Sequence, residues 1–245
     1  MNTSTQTRRF RPWMLAGVVL VPIAVLVAVY LLFFTSDSPD KLTLETPAAD
    51  TPTTTGATGA SGDPSVLDGT WTVADGSVAG YRVREKLAAL PATSDAVGRT
   101  NSVTGTVAVT RTGSDLVADS VTVEVDVSTL ASNEDRRDNR IRSSGLETDD
   151  FPNATFTSTA PVALPEGTEA GQAVKTEVTG DLTLHGVTKR VTIPLDVQLT
   201  GGQGQVVGSL KFPFSDFGMT PPSVGGFVTV ESDATLEFRL LLARG

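Results

Sequence analysis

Residues 178–195 read V-T-G-D-L-T-L-H-G-V-T-K-R-V-T-I-P-L. Val178, Leu182 and Leu184 alternate with Thr179, Asp181 and Thr183. After His185-Gly186-Val187-Thr188 the alternation resumes, with Val191, Ile193 and Leu195 set against Arg190 and Thr192. A period of two puts one row of side chains on a dry face and the other on a wet face. Two such runs around a short Gly-containing turn predict an antiparallel hairpin. A lone hairpin is marginal in water, so its apolar face must close against other strands.

The rest of the chain beyond residue 66 supplies them. Strands are expected at Gly69–Val73, 78–83, 102–111, 119–127, 154–159, 173–184, 191–200, 205–212 and 227–242. In the run D-S-V-T-V-E-V-D-V, four valines (121, 123, 125 and 127) face one way and Thr122, Glu124 and Asp126 the other. Residues 85–90 are expected to make a brief helical turn stopped by Pro91, and 92–100 a loop. The polar run 132–144, S-N-E-D-R-R-D-N-R-I-R-S-S, predicts one short helix with Ser132 or Asn133 as its cap. Many short strands with a single helix predict a closed sandwich or barrel rather than a βαβ fold. Closure also removes edges that a Val-rich sheet cannot safely expose.

The first 66 residues have a different character. Residues 13–34 are apolar without a charge, long enough to cross a bilayer, with no small-residue cleavage site just after them. They predict an uncleaved signal-anchor. Arg8, Arg9 and Arg11 precede it, and Asp37 and Asp40 follow it, which places residues 1–12 in the cytoplasm and the remainder outside. Residues 35–66, rich in Thr, Pro, Ala and Gly, predict a disordered linker with a reach of roughly 30 Å. Residues 67–245 form the folded domain.

The formal net charge is −9, which disfavours nucleic acid and anionic headgroups as partners. There is no cysteine, so disulfides, thiolate metal sites and Cys nucleophiles are excluded. His185 is the single histidine and sits in a hairpin turn, with no nucleophile or further ligand in evidence. It reads as a turn residue. The carboxylates Glu134, Asp135, Asp138, Glu147, Asp149 and Asp150 interleave with arginines and lack the spacing of a calcium loop. They read as a solvated helix with pairs such as Asp138–Arg142. No catalytic residue, metal site or cofactor is expected. What remains is the apolar interior, filled or left open for a ligand. Small inward candidates such as Gly105, Val107, Val123 and Gly180 favour open space.

The stretch TGDLTLHGVTKRVTIPL resembles the signature hairpin of the YceI-like family, polyisoprenoid-binding proteins of bacterial envelopes. RRDNRIRSSGLETDDFPNATFTS is similar to the family's helix-and-strand motif, and SDFGM at 215–219 to its penultimate loop. Two departures stand out. Gly145-Leu146 occupies a place where members often have Asp-Phe, and Arg140 one where they often have His. The resemblance implies an all-β, antiparallel, lipocalin-like barrel of about eight strands with one short helix, enclosing a long isoprenoid chain outside the cytoplasm. The partners expected are thus an apolar lipid of the polyisoprenoid class and the membrane, through the N-terminal helix. A homodimer is left open. The residues expected to line the ligand are Tyr81, Val107, Val123, Phe156, Leu182, Leu184, Val191, Ile193, Phe212 and Phe238. The competing reading is a structural or interaction module with a filled core. A hydrolase reading would require Asp138 or His185 to line a pocket.

Overall fold

A computed structural model describes residues 38–45, 67–87, 93–113, 115–168, 170–200, 202–224 and 228–245. The expected anchor, 13–34, lies outside them. Among the described residues no helix is long and apolar enough to cross a membrane.

The strands are β1 (Gly69–Val73), β2 (Val78–Leu87), β3 (Thr93–Thr100), β4 (Val103–Thr112), β5 (Asp115–Asp126), β6 (Asn153–Ser158), β7 (Val162–Leu164), β8 (Val174–Leu184), β9 (Val187–Thr200), β10 (Gln203–Pro213), β11 (Ser223–Val224) and β12 (Val228–Arg244). Eight of them, in the order β1-β4-β5-β6-β8-β9-β10-β12, form a ring that closes where β12 pairs back on β1. Every pairing is antiparallel. The hairpin read from the sequence is present as β8 and β9, paired from Val174↔Val197 to Leu184↔Val187.

β12 shares one edge between two neighbours. Its first part pairs with β2, and its last residues, Leu242 to Arg244, pair with β1. A bulge between Val230 and Ala234 shifts the register, so Ala234, Leu240 and Leu242 come to the buried face. β2 and β3 extend the sheet from that shared edge, and an Arg99↔Ala131 bridge ties β3 to the segment after β5.

Two expectations fail here. Residues 85–87 continue β2 rather than turning into a helix, and 93–100 are strand β3 rather than loop. T-S-D-A-V-G-R-T carries no apolar alternation. Its strand form comes from full pairing with β2, Ala79↔Thr100 through Lys86↔Thr93, a non-local cause. The expected helix is also shorter. α1 spans Asp135–Arg140, capped by Glu134, and runs into a π-helical turn, Ile141–Gly145.

The wet face carries cross-strand hydroxyl pairs, Thr106–Thr122 and Thr179–Thr192 at 2.9 Å and Thr183–Thr188 at 2.8 Å. Arg190 grips Asp181 on the same face. The dry face gathers Trp71, Phe156, Leu182, Ile193, Phe212 and Leu240 into one core. Trp71 is 1% exposed and donates its indole N–H to the Leu67 carbonyl at 2.9 Å.

Outside the barrel, residues 39–45 of the expected linker lie along β3, β2, β12 and β10. Arg82 donates to the Pro39 carbonyl at 2.7 Å, and Arg99 donates to the Asp40 carbonyl. Gln205 and Glu45 exchange amide hydrogen bonds of 3.0 and 3.1 Å, and Glu45 pairs with Arg239. Beneath them Glu237, 3% exposed, accepts from both Arg82 and Arg99. Pro39–Gly245 is one compact unit that contains the whole ring and its core, so it has what it needs to fold by itself.

Candidate functional site

The inward faces pack into one core and leave a space within it. They enclose a cavity of about 240 Å³ lined from every strand of the ring. At one end its wall is Trp71, Leu199 and Leu242, all buried. At the other it is formed by Ile141, Gly145 and Leu146 of the π-helical turn and by Met219, Thr220 and Pro222 after β10. Thr220 is exposed and Ile141, Leu146 and Pro222 are half-buried, so this end reaches the surface. No charged side chain lines the cavity among the described residues. Such a space excludes ions and suits an apolar ligand, since an unpaired charge in it would be unsolvated.

Nine of the ten expected lining residues are in the wall: Tyr81, Val107, Val123, Phe156, Leu182, Leu184, Ile193, Phe212 and Phe238. Val191 is not. It has the inward phase and packs half-buried on the core, but it pairs with Gly180, and the space over Gly180 is taken by the Phe156 ring. Of the small inward candidates, Val107 and Val123 line the open space, whereas Gly105 lies against the Thr122 carbonyl and Val123, and Gly180 against the Phe156 ring. A β-carbon at Gly180 would collide with Phe156, one at Gly208 with Phe238, and one at Gly98 with Tyr81. The glycines seat aromatic rings, and the seated rings form the wall.

The residues missed are those at the ends. Ile141, Leu146, Phe214 and Met219 lie in segments where the alternation is broken, and only their apolar character among polar neighbours marks them. Leu146 stands in the departure noted above and contributes directly to the wall.

The polar cluster beside the cavity is built into the fold. Asp138, 6% exposed, accepts from the Ser132 N–H at 2.9 Å and the Ser132 hydroxyl at 2.6 Å. Arg137 makes a paired contact with Glu85 at 3.2 and 3.3 Å. Arg142 donates to the Leu130 carbonyl and to Asn139. The expected surface pair Asp138–Arg142 is therefore replaced by contacts that dock α1 on the barrel. Tyr81 reaches towards this cluster, and its buried hydroxyl lies near Ser132 without a well-formed hydrogen bond. Burial raises its phenol pKa well above the ordinary tyrosine range, against a smaller opposite pull from Arg137. Neither Asp138 nor His185 lines the cavity. Among the described residues no group of three or more carboxylates and histidines is placed to hold a metal.

At the open end His185 occupies the β8–β9 turn with φ 51°, followed by Gly186 at 71°. A two-residue hairpin turn of the primed kind needs this backbone at both central positions, and histidine tolerates it better than most residues. The turn reading of His185 holds.

A model of the YceI-like domain matches residues 71–242, nearly the whole ring. The chain belongs to the YceI-like family. Among its relatives, a UPF0312 protein of Vibrio vulnificus is 35% identical over 123 residues, 47% of this chain and 61% of that protein. Protein YceI of Shigella flexneri is 41% identical over 85 residues, 34% of this chain and 39% of that one. The chain thus spans about three fifths of the length of the Vibrio relative. A solved polyisoprenoid binding domain from Saccharophagus degradans is similar in fold to this chain, with a TM-score of 0.54 at 18% identity over 71% of this chain and 98% of that domain.

Proposed function

We propose that this protein is a membrane-anchored, extracytoplasmic binding protein that holds an apolar lipid of the polyisoprenoid class inside its barrel. The observation that carries the reading is the cavity of about 240 Å³, uncharged along its wall and reaching the surface at one end. The competing reading, a module with a filled core, needs side chains to meet across the ring, and here they leave a space. Membership of the YceI-like family supports lipid binding in general, and the Saccharophagus domain of the same fold is described as polyisoprenoid binding. The anchor and the outward placement rest on the uncharged run 13–34 and on the arginines that precede it.

Lipid extraction and mass spectrometry of the purified 38–245 segment test the binding. Recovery or uptake of a long isoprenoid lipid is the expected result. Preparations that carry none, and take up no added polyprenol, would sink the proposal.

A further inference from the structure

His185 is held by two oxygens that can only accept. Its Nδ1 lies 3.2 Å from the Phe217 carbonyl and its Nε2 lies 2.9 Å from a Glu147 carboxylate oxygen. A neutral imidazole carries one N–H and can serve only one of them; the imidazolium carries two and serves both. From this geometry we infer that His185 is a positioning residue of the cavity mouth, a latch that engages both rim segments only when its ring is doubly protonated.

The two segments are those that close the wall at the open end. Glu147 follows Leu146, and Phe217 lies two residues before Met219; both Leu146 and Met219 line the cavity. The latch is set by unusual backbone on both sides. Glu147 and His185 are the two described non-glycine residues at positive φ, 48° and 51°, and they face each other. Such backbone costs energy and persists where surrounding contacts hold it. The ring is further fixed by Phe151, edge-on with centroids 5.0 Å apart. An Asn or Asp would satisfy the turn equally well. Neither has two opposed ring nitrogens that reach both segments.

Loss of the proton removes one of the two bonds. The bond to Glu147 is the one to go, since that carboxylate is 49% exposed and water replaces the contact, whereas Phe217 is 1% exposed. The remaining acids on the two rim segments, Asp149, Asp150 and Asp216, are exposed. Histidine is the side chain whose charge ordinarily changes between about pH 5 and 8. Protonation of the ring therefore latches the mouth and its loss loosens it, which slows lipid exchange under acid conditions. This consequence for exchange rests on the lipid-binding reading; the latch itself does not.

The test uses the 38–245 segment with Glu147→Gln and His185→Asn. A glutamine amide donates to the neutral Nε2, so Glu147→Gln keeps the latch at either pH; His185→Asn keeps the turn and removes the latch. Because the chain has one histidine, a ¹⁵N-histidine spectrum reads its protonation without overlap. Two protonated ring nitrogens should be seen wherever both rim segments are engaged. Amide hydrogen exchange of 146–151 and 214–219 is compared between variants at the same pH. At about pH 8 Glu147→Gln should protect residues 146–151 about fivefold more than the unaltered segment, the effect of one neutral hydrogen bond. At about pH 5.5 those two should match, and His185→Asn should be the least protected. Release of diphenylhexatriene to phosphatidylcholine vesicles should follow the same order. A singly protonated ring at the acid pH, or rim exchange indifferent to both substitutions, overturns the latch. Failure to take up diphenylhexatriene, with the exchange pattern as expected, supports the latch and counts instead against the lipid reading.

Discussion

Tyr81, Phe156 and Phe238 each lie across a glycine, and this arrangement sets the bore of the barrel. Tyr81 pairs directly with Gly98 and Phe238 with Gly208. A ring flat against the sheet adds apolar wall without projecting into the centre. Gly208→Ala would push Phe238 inward. The expected outcome is a loss of about 1–3 kcal/mol from overpacking, with fewer lipid probes bound per barrel, read by thermal unfolding and by probe titration. The Tyr81 hydroxyl gives a second residue-scale prediction. Its folded pKa is raised by burial, so the folded state keeps a proton that the unfolded chain releases above about pH 10. Its contribution is complete below that pH and is lost as pH rises beyond it. Tyr81→Phe should therefore flatten the alkaline fall in stability, checked by urea unfolding at about pH 9 and about pH 11; an unchanged slope would contradict the assignment. The identities of these aromatics as wall residues were legible from their phase. Their glycine seats were not, because the seat lies on a neighbouring strand and pairing is a non-local fact.

At the scale of elements, the β8–β9 hairpin could be read directly, since its alternation, turn and register all agree. β3 could not. Its residues have no strand signature, and its place is fixed by β2 on one side and by the Arg99↔Ala131 bridge on the other. The segment 39–45 was equally hidden. Its Leu42 and Leu44 are half-buried between exposed neighbours, and its backbone is held by Arg82, Arg99 and Gln205. The two layers of that contact should differ sharply in weight. Glu237→Ala would leave Arg82, with a side chain 10% exposed, without its buried partner. A loss of about 3 kcal/mol is expected by urea unfolding, since the more buried of the two carboxylates that pair with Arg82 is removed and only Asp95 remains. Glu45→Ala acts on a side chain 62% exposed and should cost under about 1 kcal/mol. Comparable losses from both would mean that the outer segment, and not the Glu237 cluster, stabilises this face.

For the whole molecule, the expected tether now divides at Glu45. Residues 46–66 contain no side chain larger than valine that is apolar, apart from proline, so they cannot bury a core. Leu67, by contrast, is 6% exposed and receives the Trp71 indole bond. Proteolysis of intact cells should then cut within 46–66 and release a stable fragment that begins before Leu67. The barrel in that fragment keeps its complete ring, so it should retain its bound lipid, which mass spectrometry of the released fragment checks. The topology enters because the cut is available only if residues beyond 34 face outward, as the arginines at 8, 9 and 11 predict. Protection of the stretch in intact cells, with cleavage only after lysis, would place the barrel on the cytoplasmic side. A mature protein found free of the membrane with its N-terminus near Ser36 would show that residues 13–34 are removed as a signal peptide, and the lipid would then be carried by a soluble barrel rather than held beside the bilayer.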